Sequence, residues 1–178
     1  MKTFFLLLCC LSIGSFLTGQ NLSTEEQRLY DQIMEYRARQ GLPRISLSPS
    51  LTYVAQMHVR DMEAHYNEVA ENAGCNLHSW SNQGSWTTCC YTSDHAQATC
   101  MWDKPRELTA YQGDGYEISF ATTGVATARV ALATWQRSPG HNSLLINQGI
   151  WQQDRWQAIG IGIFGGHACV WFGKELDR

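Results

Sequence analysis

The stretch from Glu71 to Gly115 sets the tightest limit on how this chain can fold. It is rich in Ser, Asn, Gly, Thr, Trp and Cys and has little hydrophobic periodicity. A structureless loop of that length is unusual in a compact domain, because ordering it costs chain entropy that few apolar residues offset. Four cysteines lie inside it, Cys75, Cys89, Cys90 and Cys100, and Cys169 follows near the C-terminus. In an oxidising compartment these five are disulfide candidates, and cross-links explain how such a loop is ordered. Adjacent Cys89 and Cys90 do not readily bond each other, so each is expected to pair elsewhere, and Cys75 is near enough to join them. An odd count leaves one thiol over or joins two molecules. A zinc site made of these cysteines lacks paired Cys-x-x-Cys spacing. Cys75 near His78 also spells a Cys/His nucleophile, for which a disulfide is the competing fate.

The N-terminus bears on the compartment. Met1–Gln20 combines Lys2, an apolar run over Phe4–Leu11 and mostly small or polar residues from Gly14 to Gly19. This is the pattern of a secretory signal peptide, with cleavage expected between Leu17 and Asn21. The apolar run is too short to span a bilayer. Cys9 and Cys10 lack the small residue that precedes a lipidated cysteine. A soluble extracellular or periplasmic product is therefore expected, with a retained interfacial anchor as the alternative. Without Lys2, 12 basic residues stand against 16 acidic ones, a net charge of −4, and only Lys104 and Lys174 are lysines. No basic patch suggests nucleic acid or an anionic membrane as partner. Residues 21–178 suit a single domain.

Ser23-Thr24-Glu25-Glu26 reads as a capping box opening a helix to about Arg39, with Leu29, Ile33 and Tyr36 inward, helped by Tyr30 and Met34. Gly41 and Pro43 end it. Ser48-Pro49 starts a second helix to about Ala70, where Leu51, Val54, Ala55, His58, Val59 and Met62 recur at helical spacing. His58, Met62 and His65 share a face, which suits either a metal or a packed, hydrogen-bonded His58 with His65 near the surface. Trp80, Trp86 and Trp102 either pave a groove or fill the core of the braced loop. Thr122 or Thr123 is expected to cap a third helix from Gly124 to about Arg137. Ser138-Pro139-Gly140 breaks it, His141 follows at the break, and Leu144–Ile146 anchors the far side. That places His141 at a rigid lip suited to a site, or to plain loop bonding. Ile159, Ile161 and Ile163 alternate with Gly160 and Gly162, Gly165-Gly166 turns, and His167–Phe172 pairs back as a hairpin. The glycines on one strand face invite close approach by a helix. A Ser/His hydrolase using Ser79 or Ser138 with His141 lacks a Gly-x-Ser-x-Gly elbow.

Several segments, in order, resemble one family: YRARQGLPRISLSPSLTYVAQMHVRDM, LHSW, GYEIS, WQRSPGHNSLL and AIGIGIF followed by CVWFG. Over nearly the whole of residues 21–178 the sequence is similar to the CAP superfamily of cysteine-rich secretory proteins, venom allergens and pathogenesis-related proteins, in its bacterial form. The resemblance implies an α+β fold, a three-layer α-β-α sandwich with a small antiparallel sheet ending in a C-terminal hairpin. It also implies a central cleft with two histidines and two acids able to hold a divalent metal. His78 of LHSW and His141 of PGHN match the histidines. Glu117 of GYEIS matches one acid after a one-residue shift, since an ungapped match puts Tyr116 there. Ser138 stands where the second acid belongs. The cleft residues implied are thus His78, Glu117, His141 and Ser138, with His78, His141 and Glu117 as a zinc or other divalent-cation set.

Three functions follow from the resemblance. The first is a secreted binding module for a lipid, a sterol or another extracellular ligand or partner. The second is a metal-dependent peptide or ester hydrolase. The third is a disulfide-braced structural domain. The missing second acid favours binding over catalysis, and fold alone does not decide.

Overall fold

The computed structural model describes residues 21–70 and 74–178; the signal-peptide expectation for 1–20 lies outside them. The first helix, α1 (Thr24–Arg39), begins with the expected capping box. The Ser23 hydroxyl accepts from Glu26 N at 3.2 Å, and Ser23 N donates to the Glu26 carboxylate at 2.7 Å. Helix α2 (Pro49–Ala70) is likewise as expected, with Ser48 Oγ accepting from Leu51 N at 2.9 Å. Between them lies β1 (Ser46–Leu47). The long cysteine-bearing stretch contains α3 (Ala98–Trp102) and α4 (Lys104–Leu108) and leads into β2 (Gly115–Ala121). The chain finishes with α5 (Ala128–Arg137), α6 (Pro139–Leu145), a 3-10 turn at Gly149–Trp151, β3 (Ala158–Phe164) and β4 (His167–Gly173).

The sheet order is β1-β3-β4-β2. Its three long strands are antiparallel, ending in the expected hairpin, and two-residue β1 adds a parallel edge to β3. Side-chain alternation sorts the sheet into two cores. Ile159, Ile161, Ala168, Val170 and Phe172 pack with α1, α5 and α6. Cys169 and Trp171 face α2 and the braced loop, including Trp80 and Met101. The result is the α-β-α sandwich, and no helix among the described residues is long and apolar enough to cross a membrane.

The glycines of β3 do what their spacing implies. A Cβ on Gly160 would overlap the Leu51 backbone, and one on Gly162 would overlap that of Ala55. Helix α2 therefore lies closer to the sheet than any side chain would allow. The third helix differs from the expectation. It starts at Ala128, capped by the Thr127 hydroxyl, and Val125, placed on its apolar stripe by periodicity, is 82% exposed. The four residues before Ala128 are irregular backbone in which Ala126 is buried, its N–H donating to Gly165 O at 2.9 Å.

Candidate functional site

Two walls frame a cleft of about 440 Å³ at the β2 edge of the sheet. The first is the braced loop. Disulfides Cys75–Cys90 and Cys89–Cys100 hold it, and the main chains of Trp80 and Cys89 exchange hydrogen bonds at 2.8 and 3.1 Å. Cys169, a disulfide candidate by sequence, is instead a free buried thiol. Its position on the inner sheet face, under Ala55, keeps it from the loop; Sγ donates to Ala55 O at 3.4 Å. Disulfide bonding of Cys75 removes the Cys/His nucleophile reading. Trp80 is fully buried and belongs to the core, whereas Trp102 lines the cleft, so the two readings of the tryptophans divide between residues.

The second wall is α6. Ser138 is at once the last cap of α5 and the N-cap of α6, with Pro139 in the first helical turn. His141 thus sits inside a short helix rather than on a loop. Three contacts from α1 and its neighbours fix that helix. Tyr36 Oη donates to Asn142 Oδ1 at 2.8 Å. Arg37 Nη1 donates to Leu145 O at 2.6 Å and to Asn147 Oδ1 at 2.8 Å. Burial pulls the Arg37 guanidinium down to about 10, which leaves it charged at neutral pH. Trp156 Nε1 adds a bond to Leu144 O at 3.1 Å.

At the floor, Glu117 of β2 joins two histidines. Its Oε1 is 2.5 Å from His58 Nδ1 and its Oε2 is 2.8 Å from His78 Nδ1. The regular β2–β4 register sets Glu117 opposite Trp171, on the face that meets α2, while Tyr116 points to the other face and forms a cleft wall. His58 comes from α2, is fully buried, and stacks on Trp80 with ring centroids 4.3 Å apart. Its Nε2 donates to Ser79 O at 3.0 Å. Burial alone would raise the Glu117 pKa, but the charge and hydrogen bond of His58, with the bond of His78, hold it well below the ordinary carboxylate range. Burial would lower His58, and Glu117 outweighs it and raises the group. The floor is therefore a buried carboxylate–imidazolium pair with His78 attached.

His78 is turned by its own segment: Asn76 Oδ1 accepts from His78 N at 3.0 Å. His141 lines the opposite side of the cleft. Burial, and then the proximity of His78, depress its pKa, which keeps it neutral. His141 Nδ1 is buried and makes no hydrogen bond among the described residues. Tyr91 and His95 complete the rim, the Tyr91 hydroxyl 2.7 Å from His95 Nδ1. Burial and the Glu117 charge raise the Tyr91 phenol, which shares that bond with the His95 ring. His95 has φ 59°, a left-handed conformation that costs a non-glycine residue energy. Met101, Trp102, Ile118, Leu144 and Trp151 make the remaining surface mostly apolar.

Of the four cleft residues expected, His78, Glu117 and His141 come together around this space, and Ser138 does not line it. Ser138 is occupied in the helix junction, its N–H donating to Trp135 O and its carbonyl accepting from Asn142. Ser79 is likewise taken, its hydroxyl accepting from Tyr91 N at 2.9 Å. Neither supports a Ser/His pair with His141.

The divalent-metal set His78, His141 and Glu117 does not fit. Both Glu117 oxygens already accept hydrogen bonds from histidines. Among the described residues, the group of three ligand atoms lying within 4.8 Å of one another is His58, Glu117 and Cys169. That group is fully buried, both His58 nitrogens are engaged, and burial followed by the Glu117 charge pushes the Cys169 thiol well up. A metal needs the thiolate and a free imidazole lone pair.

In sequence His58 reads either as part of a metal-binding helix face or as a packed, hydrogen-bonded residue, and no pattern gives a role to Tyr91 or His95. The signal for His58 was its place on an otherwise apolar stripe, where a buried imidazole requires a partner.

Comparison with known proteins bears on this arrangement. An extracellular protein containing an SCP domain from Bacillus anthracis str. Ames superposes with a TM-score of 0.56 at 18% identity, over 85% of this chain and 40% of that one. A cysteine-rich secretory protein from Staphylococcus aureus subsp. aureus Mu50 gives 0.50 at 15% identity, over 85% and 38%. The chain thus spans about two fifths of the length of these two. An outer surface protein from Borrelia burgdorferi gives 0.52 at 19%, over 88% of this chain and 98% of that one. At such identities the likeness shows a shared fold. No protein with a curated description matches the chain in sequence. Residues 30–151, which run from α1 through both cleft walls, match the profile of the cysteine-rich secretory protein family, and the chain belongs to that family, CAP.

Proposed function

We propose that this is a secreted CAP-domain binding protein that takes the apolar body of an extracellular ligand, a lipid or sterol, into the cleft between His78 and His141. One observation carries the reading: a space of about 440 Å³ walled largely by Met101, Trp102, Tyr116, Leu144 and Trp151, with a small set of polar side chains in the imidazoles, Tyr91, Ser143 and the floor carboxylate Glu117. Mostly apolar concavities with a few placed polar groups are the ordinary form of small-molecule sites. Hydrolysis is less well supported, because Glu117 is saturated by its two histidines and Ser138 lies outside the cleft. Secretion rests on the N-terminal sequence pattern, on the two disulfides and on the extracellular character of the family.

The test is direct. The secreted, oxidised protein is extracted with apolar solvent and the extract analysed by mass spectrometry; tryptophan fluorescence is then titrated with a sterol and with a fatty acid. Saturable binding that weakens about tenfold in Trp151→Ala supports the reading. Absence of any extracted or titratable apolar ligand overturns it. Amino-terminal sequencing of the secreted product should begin between Leu17 and Asn21.

A further inference from the structure

A cleft lined by side chains from both faces of one strand straddles that strand's edge. Tyr116 and Ile118 lie on the α5 and α6 side of β2, Glu117 lies on the α2 side, and all three line the same space. Strand β4 occupies one edge of β2, so the floor of the cleft is the other, outer edge. The register tells which backbone groups point there. Thr122 N donates to Gly166 O at 2.9 Å, and this pair continues the β2–β4 register one step past Ala121 and His167. Bonded and non-bonded pairs alternate along an antiparallel ladder. Tyr116, Ile118 and Phe120 therefore bond to β4, whereas Glu117 and Ser119 turn their N–H and C=O outward. Ser119 O does accept from that side, from Trp135 Nε1 at 2.9 Å. Glu117 N and O have no partner among the described residues, although the residue is only 5% exposed. Buried backbone groups are almost always paired, so this one donor and one acceptor at the cleft floor call for a ligand that supplies both bonds.

We infer that the cleft takes an N-acylated amino acid, whose single residue pairs with the main chain of Glu117 as a β-bridge. The inference rests on the binding reading above and adds the chemistry of the ligand's polar part. In a bonded antiparallel pair, one residue's N–H and C=O meet the partner's C=O and N–H. A lone secondary amide does not match this, because its N–H and C=O point opposite ways across the trans bond. The two groups must flank one carbon, as they do in an acyl–NH–CHR–CO unit. Its N–H donates to Glu117 O, and its carbonyl accepts from Glu117 N. The acyl chain then lies against Met101, Trp102, Leu144 and Trp151. A longer peptide strand fits less well. The next outward acceptor, Ser119 O, is already taken by Trp135, and in the other direction β2 starts at Gly115, against Pro105. A sterol has no such pair of groups and leaves Glu117 N and O unsatisfied on binding.

The test uses the oxidised secreted protein and needs no mutation. Tryptophan fluorescence is titrated with three probes that share one acyl chain: the methylamide of N-dodecanoylglycine, the same molecule with an ester oxygen in place of the acyl N–H, and methyl dodecanoate. The first should bind about tenfold more tightly than the second, which has no hydrogen to give Glu117 O. Methyl dodecanoate should bind more weakly than the first. Proton–nitrogen NMR then reads the floor directly. On saturation with the first probe, the Glu117 amide proton should shift downfield and its exchange should slow about tenfold, while the Ile118 amide, already bonded to β4, stays unchanged. Equal binding of the amide and its ester counterpart, or a Glu117 amide that does not respond, overturns the inference; saturable binding of methyl dodecanoate would then leave the apolar-cleft reading standing. Failure of all three probes to bind overturns both.

Discussion

The two walls of the cleft are held by different means. The loop wall, carrying His78 and Tyr91, depends on two disulfides and on the buried chain of His58, Glu117 and His78. The helix wall, carrying His141, depends on packing and on side chains of α1 that reach the backbone and amides of α6. The loop has little apolar periodicity, so covalent and charged contacts supplement the burial of Trp80, Tyr91 and Met101. A short helix has an apolar side, here Leu144 and Leu145, and needs only its ends fixed. The consequence is that each wall should be separable from the other by experiment.

The largest separation should come from Glu117→Gln. It leaves a buried imidazolium at His58 without its countercharge, which costs about 4 kcal/mol. Chemical denaturation should report that loss, and hydrogen exchange should quicken on the loop wall while the α6 amides stay protected relative to global unfolding. Its pH profile sharpens the point. Glu117 is held below its usual 4.5, so its contribution is present above that pH and is lost as pH falls through the lower folded value. His58, with Glu117 and Asp61 both drawing it upward, is raised above its usual 6.5, so its share is complete below 6.5 and is lost as pH rises through the raised value. The pair therefore contributes most between about pH 4.5 and 6.5, and Glu117→Gln should flatten stability against pH at both ends of that window. Unchanged acid and alkaline limbs would show that the pair is not ionic.

Reduction comes next. The disulfides close segments separated by 15 and 11 residues, and each is worth on the order of 3 kcal/mol. Cys89→Ser with Cys100→Ser should loosen the loop wall and abolish ligand binding, yet leave the sheet and α6 folded. Loss of the whole fold in calorimetry would show that the two walls are one cooperative unit.

How much of this could be read in the sequence follows the same division. Helices α1 and α2 and the final hairpin were legible because each repeats an apolar pattern over several turns or residues, with caps and a Gly-Gly turn at the ends. The glycines facing α2 were legible for the same reason. Strand β2 was not, since at the sheet edge its outward residue Tyr116 is half-buried and its inward residue is the charged Glu117, which hides the alternation. The start of α5 differs because Val125 fits the helical stripe although the irregular backbone before Ala128 exposes it. His78, Glu117 and His141 were found through the family resemblance, whereas His58 meets Glu117 across 59 residues, a contact no local pattern encodes. Disulfide pairing was open in the sequence for the same cause, and so was the free thiol of Cys169, buried between the sheet and α2 against Ala55.

Arg37→Met breaks the comparison from the other side. The buried guanidinium donates to Leu145 O and Asn147 Oδ1, and Asn147 sits at φ 50°, a conformation that these bonds help maintain. Removing the donors leaves both acceptors unsatisfied, for a loss of about 2 kcal/mol. Exchange should quicken at the end of α6 and in the 3-10 turn, with the Trp80 and Cys89 amides unaffected.

The smallest effect should be that of Tyr36→Phe. The ring stays packed, and only the bond to Asn142 Oδ1 goes. Asn142 is half-buried, so water can replace the lost donor, and about 1 kcal/mol is expected. The side chain of Asn142 lies one residue from His141, on the helix that carries it into the cleft. Retained ligand affinity with slightly lower stability would show that the three contacts from α1 and Trp156 hold α6 redundantly. A large fall in affinity at nearly unchanged stability would mean that Tyr36 sets the angle at which His141 faces His78, and that the helix wall is tuned as closely as the loop wall is by Glu117.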